Sequence, residues 1–230
     1  MKKKNIDCRG MLLVFLAAAI LIFAHCSPVA AAEAIVLGDE RTDEYMPLLD
    51  GKRIALFANH SAMVKGEHLL ELLLRHGEHV TVLYTPEHGI RGDRAAGETI
   101  EDGTDPVTGI PIVSLFSGVS GSAKPSSETM SKFDTLVIDI QDVGLRYYTY
   151  YIAVCDLLEE CSVYGKEVIL LDRPNPNGHY VDGPILDMKL KCHIGRLPIP
   201  VVHGLSKKAN RIFSMSEKRD EGFCSISFCW

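Results

Sequence analysis

Several well-known chemistries have no signature in this sequence. No G-x-G-x-x-G follows the first apolar run and no G-x-x-x-x-G-K-[ST] occurs, so dinucleotide binding and P-loop chemistry lose their main support. No G-x-S-x-G is present, which lowers a serine hydrolase. C-x-x-C is missing too. Cys8 and Cys26 lie near the N-terminus, and the remaining Cys155, Cys161, Cys192, Cys224 and Cys229 are odd in number. A thiolate zinc site and a disulfide framework are therefore both disfavoured. His60, His88, Asp139, Asp142, Asp172 and His203 show no H-x-H or H-E-x-x-H spacing, so neither metal nor cofactor is expected. A basic stripe is absent as well. The formal net charge is -6, which argues against nucleic acid as a partner.

What remains is ordinary for a globular protein: 230 residues, 47% hydrophobic and 23% charged, enough for one large domain or one and a half. The N-terminus stands apart. Lys2, Lys3 and Lys4 form a basic n-region, Met11 to Ala24 is apolar throughout, and Ala30-Ala31-Ala32 supplies small residues of the A-x-A type. The apolar run is shorter than a membrane span of roughly 20 residues, so 1–32 reads as a cleaved signal peptide. Export to the periplasm or the exterior follows. A lipid anchor at Cys26 is the alternative, and it would be the only other membrane attachment. Phe23-Ala24-His25 is a poor match to the small residues that such processing wants.

Residues 33–204 alternate between strand and helix patterns. Arg53 to Asn59, His79 to Tyr84, Thr135 to Ile140 and Val168 to Leu171 read as buried strands, with a shorter one at Ile110 to Phe116. Pro111 places the last at an edge or at a strand start. Lys65 to His76 and Tyr147 to Cys161 carry helical spacing, the second with Tyr151, Val154, Leu157 and Leu158 on one face. Cys155 and Cys161 in that helix suit small buried hydrophobes. Arg91 to Gly109 is too polar to bury and reads as a functional loop. The alternation predicts an α/β fold, a mostly parallel sheet with helices on both faces.

Polar clusters collect at the strand ends. Asn59-His60-Ser61 follows the first strand and Thr85 to Gly92 (T-P-E-H-G-I-R-G) the second. Asp139-Ile140-Gln141-Asp142, with Gly144 and Arg146, ends the third long strand, and Asp172-Arg173-Pro174-Asn175 the next. In open α/β sheets, ligands bind outside the carboxyl ends of the strands, so these clusters predict a crevice. Pro86 and Gly89 suit a turn that presents Glu87, His88 and Arg91. Carboxylates (Glu87, Asp142, Asp172, Asp182) beside Arg91, Arg146, Arg173 and tyrosines (Tyr147, Tyr148, Tyr150) are typical of sugar sites. Structural alternatives stand beside that reading. Asp142 and Arg146 fit an i,i+4 ion pair, Asp172 fits a turn carboxylate, and the tyrosines fit the core equally well.

The motifs T-P-E-H-G-I-R-G, D-I-Q-D-V-G-L-R-Y-Y-T-Y, D-R-P-N-P-N-G-H-Y-V-D-G-P and P-I-P-V-V-H-G, in that order between residues 85 and 204, resemble the exo-β-N-acetylmuramidases of the NamZ type. The resemblance covers roughly Leu48 to Gly204. It implies a Rossmann-like N-terminal domain, a smaller C-terminal domain, and release of N-acetylmuramic acid from the non-reducing end of a peptidoglycan-derived muropeptide or disaccharide. Carried over by position, Glu87 is the catalytic acid and Asp182, where relatives often have Glu, a second carboxylate. His88, Arg91, Asn59, Asp142, Arg146, Asp172, Arg173, Asn175 and His203 would bind substrate, one arginine taking its lactyl carboxylate. Ala58-Asn59-His60-Ser61 departs from the usual T-N-Q-T, and Ser206 to Trp230 from the family continuation. The residues after Gly204 therefore read as an aberrant or truncated tail, with the C-terminal domain largely missing. The alternative function is a vestigial, non-catalytic sugar-binding domain.

Overall fold

Arg53–Ala58 (β1) occupies the middle of a sheet because both of its faces are apolar. Ile54, Leu56 and Ala58 enter one buried cluster, Ala55 and Phe57 another. Such a strand has to be covered on both sides. The computed structural model describes residues 35–92, 101–115, 124–192, 194–205 and 226–229. The leader with Cys26, and most of the tail, lie outside those residues. In chain order the elements are α1 (Thr42–Tyr45), β1, β2 (Met63–Val64), β3 (Glu67–His68), α2 (Leu69–Arg75), β4 (His79–Thr85), β5 (Gly103–Thr104) and β6 (Pro111–Ser114). Then follow α3 (Ser127–Met130), β7 (Thr135–Asp139), α4 (Tyr150–Val163), β8 (Glu167–Leu171) and β9 (Ile226–Cys229).

One seven-stranded sheet runs β5-β6-β4-β1-β7-β8-β9. All its pairings are parallel except β5 with β6. Without the antiparallel β5, this is the strand order 3-2-1-4-5-6 of a Rossmann fold. Leu69, Leu70, Leu72 and Leu73 of α2 cover one face with Ile54 and Leu56. On the other face Tyr150, Ala153, Val154, Leu157 and Cys161 of α4 pack on Phe57, Tyr84 and Ile138. The expected α/β class forms.

Three local expectations are corrected. The helix expected over Lys65 to His76 begins only at Leu69, because Lys65 (φ 50) and Gly66 (φ 90) make a two-residue turn joining β2 to β3. His68 then caps α2, its Nδ1 accepting from Leu70 N–H at 3.2 Å. Helix α4 is buried on two sides, not one: Tyr151, Ile152 and Cys155 meet Leu197 and Ile199 behind it. The Arg91–Gly109 segment is not simply too polar to bury. Asp105 within it is 0% exposed and accepts from Thr108 N–H at 2.9 Å and from Arg91. Residues 93–100 lie outside the described set. Cys155 and Cys161 are buried, as expected of small hydrophobes in this helix. Ile226–Cys229, in a tail without clean periodicity, pairs with Val168–Leu171 as β9.

Candidate active site

From β1 the chain moves out to β4 and β6 on one side, then returns to β7 and β8 on the other. The loops leaving β1 and β7 therefore diverge, which opens a crevice at this switch point. Asn59 directly follows β1 and is 2% exposed. Its Oδ1 accepts from Ser61 N–H at 3.0 Å and from the Ser61 hydroxyl at 2.6 Å, which turns the chain at once.

After β4, Pro86 to Gly89 form a turn closed by Gly89 N–H donating to Pro86 O at 3.2 Å. Glu87 and His88 are its two central residues, both half-buried. His88 sits at φ 76, the left-handed region. A non-glycine residue there costs about 1–3 kcal/mol and persists only where surrounding structure holds it. The turn is held from α4: the Tyr150 hydroxyl donates to Glu87 O at 3.2 Å. Tyr148 meets Tyr150 edge-on, with centroids 4.5 Å apart. Burial first, then Tyr150 and the charges of Asp142 and Glu87, push the Tyr148 hydroxyl up. Burial likewise raises Tyr150, while hydrogen bonds with the Tyr148 and Asn59 side chains oppose it. Both phenols are neutral at physiological pH.

Next come Asp142, whose charge acts on Tyr148, and His203. Asp142 is 6% and His203 2% exposed. Both are tied to the backbone of Gly144. Gly144 N–H donates to Asp142 Oδ1 at 2.7 Å, and His203 N–H donates to Gly144 O at 3.2 Å. Gly144 has φ 75, and a Cβ there would fall 2.2 Å from Asn175 Oδ1. Burial lowers the His203 imidazole pKa, with the Asp142 charge working against it.

The remaining sequence-predicted residues divide sharply. Arg91 donates to Glu71 at 2.6 Å and pairs with Asp105 at 3.2 Å. Arg173 is buried, gripping Asp139 (2.5 and 3.0 Å) and Asp39 (2.5 Å). Arg146 does not pair with Asp142 as i,i+4 spacing suggested; its Nη1 donates to Pro184 O at 2.7 Å and Ile199 O at 2.8 Å. Asp172 Oδ1 accepts from Arg173 N–H at 3.0 Å, as a turn carboxylate does. Asn175 accepts from Asn177 N–H at 2.8 Å and donates to Leu205 O at 3.0 Å, bracing the loop. Asp182 is exposed and bridges Val202 through its backbone, one residue from His203. Asp39 is the residue that sequence reasoning missed. It precedes the first strand, in no motif, and only the fold brings it to Arg173. Among the described residues no group of three or more His, Cys, Asp or Glu could hold a metal ion, and no helix is long and apolar enough to cross a membrane.

Fold and site together define a Rossmann-like protein whose crevice is built from a carboxylate turn, paired tyrosines and a buried Asp–His couple. Residues 54–219 match the family described as "Exo-beta-N-acetylmuramidase NamZ, N-terminal", and the chain belongs to that family. The match continues past Gly204. Among relatives, the peptidoglycan beta-N-acetylmuramidase NamZ of Bacillus subtilis is 36% identical over 171 residues, 73% of this chain and 41% of that protein. Two crystal structures of DUF1343-family proteins from Bacteroides fragilis superpose with a TM-score of 0.73 each. They are 44% and 30% identical, and each match covers 84% of this chain and 51% or 49% of the other. The chain thus spans about half of these relatives or less.

Proposed function

We propose that this chain carries the catalytic crevice of an exported glycosidase that releases N-acetylmuramic acid from the non-reducing end of peptidoglycan fragments. The observation that carries the reading is the placement of Glu87. It projects from a strained turn at the carboxyl end of β4, beside the switch point, with its backbone fixed by Tyr150. A carboxyl group so held suits proton delivery to a glycosidic oxygen. Kinship to the B. subtilis muramidase supports the substrate class, and the basic-apolar leader supports export to the periplasm or beyond.

Asp182 is the second carboxylate of this reading, on the rung next to His203. Arg146 is the guanidinium for the lactyl carboxylate. Arg91 and Arg173 are each neutralised by two acidic groups, whereas Arg146 has only carbonyl partners among the described residues. A planar guanidinium with free donors suits a carboxylate.

The test is hydrolysis of a MurNAc-GlcNAc disaccharide by the full chain and by its Glu87→Gln variant. Release of free MurNAc, reduced at least about 100-fold in the variant with binding retained, is the expected result. Binding without turnover in the unmutated chain would replace the enzyme with a non-catalytic sugar-binding domain. Unchanged turnover in the variant would move the acid elsewhere.

A further inference from the structure

Two polar atoms in the crevice are buried without a hydrogen-bond partner among the described residues: Asp142 Oδ2 and His203 Nε2. Their neighbours on the same side chains are both engaged. Asp142 Oδ1 accepts from Gly144 N–H, and His203 Nδ1 accepts from Leu205 N–H at 3.2 Å. Because Nδ1 is an acceptor, the neutral ring carries its proton on Nε2. The crevice therefore holds one unmatched acceptor and one unmatched donor. Both belong to side chains more than nine-tenths buried, and both residues are one hydrogen bond from Gly144, Asp142 through its carboxylate and His203 through its backbone N–H. Native interiors leave few such groups unmatched, because each costs the full desolvation penalty of the group.

A partner that satisfies both must itself carry a donor and an acceptor. It must also suit surroundings that include the Tyr151 ring, which lies edge-on to His203 with centroids 6.5 Å apart. A secondary amide with a small apolar end meets all three demands. We propose that Asp142 and His203 together bind the 2-acetamido group of the sugar, Asp142 accepting from its N–H and His203 Nε2–H donating to its carbonyl. This rests on the sugar-site reading above and adds to it which atoms select an N-acetylated sugar. Both residues are binding groups here, and neither takes or gives a proton in the reaction.

The substitutions that test this preserve the internal contacts. Asp142→Asn keeps an oxygen for Gly144 N–H but turns the free acceptor into a donor. His203→Asn keeps an acceptor near the Nδ1 position for Leu205 N–H and deletes the Nε2 donor. His203→Gln restores a donor near Nε2. Dissociation constants of MurNAc, GlcNAc and glucose are measured on the full chain by ligand-observed NMR, following the acetyl methyl where there is one.

Asp142→Asn and His203→Asn are expected to weaken MurNAc at least about tenfold, with His203→Gln recovering part of the loss. The unmutated chain is expected to bind GlcNAc at least about tenfold more tightly than glucose. MurNAc affinities within twofold of the unmutated chain in both Asn variants overturn the inference. So does a GlcNAc-to-glucose ratio near one, which needs no variant. Equal binding of MurNAc and GlcNAc, both sensitive at Asp142, would remove the muramyl selectivity proposed above and leave this pairing intact. No binding of any N-acetylated sugar would overturn both.

Discussion

Asp39 shows how a single side chain answers to partners far away in sequence. Burial, and next the charge of Asp139, raise its pKa to about 7, against the pull of Arg173. Its folded value thus exceeds its unfolded one. The stability it contributes is fully present below about pH 4 and is lost as pH rises through about 7. Asp39→Asn removes the titration but keeps a neutral hydrogen-bonding group. The fall in stability between pH 5 and pH 8, read from urea midpoints, should be smaller in the variant than in the parent. Residues of this kind are not legible in a sequence, because the triad joins positions 39, 139 and 173 that share no motif. Glu87 and His88 were legible, since Pro86 and Gly89 bracket them within one turn. Which arginines are already paired was not legible: Arg91 and Arg173 look as available as Arg146 until Glu71, Asp105, Asp139 and Asp39 are in place.

At the scale of elements, apolar runs were enough to find β1, β4, β7 and β8, and the α4 periodicity was plain. The β2–β3 hairpin was not, because its strands are two residues each and its turn, Lys65-Gly66, sits inside a pattern that continues into the leucines of α2. Two glycines separate what a turn requires from what a site requires. Gly66 has φ 90 with open space around it, so Gly66→Ala meets only backbone strain, about 1 kcal/mol. Gly144 has φ 75 and the Asn175 amide against it, so Gly144→Ala meets the strain and a steric conflict together. It should destabilise more than Gly66→Ala, by about 2 kcal/mol or more, when urea midpoints are compared at constant m-value. Equal costs would mean that the Asn175 side chain simply moves aside.

For the whole molecule, alternation of strand and helix patterns predicted the class, but not which strand closes the sheet. That strand is β9, on the outer edge of β8. Its chain segment gave no periodic signal, and a short edge strand with one neighbour needs none. Stopping the chain before Ile226 leaves the edge of β8 unpaired, a template for pairing with other chains. The shortened protein should exchange its Val168–Leu171 amides faster and associate more at high concentration, measured by hydrogen exchange and light scattering. Unchanged exchange would mean that β9 contributes nothing to the edge.

Gly144 has one more consequence, which concerns time. Its N–H engages a carboxylate two residues back, within a local turn that can form as soon as the chain leaves β7. Its carbonyl waits for His203, which arrives only after α4, β8 and the segment packed behind α4 have found their places. Contacts between positions so distant in sequence close a large loop and form late. The scaffold is therefore assembled before the crevice has its second wall. In a refolding experiment, secondary structure followed by circular dichroism should recover ahead of the capacity to bind an N-acetylated sugar.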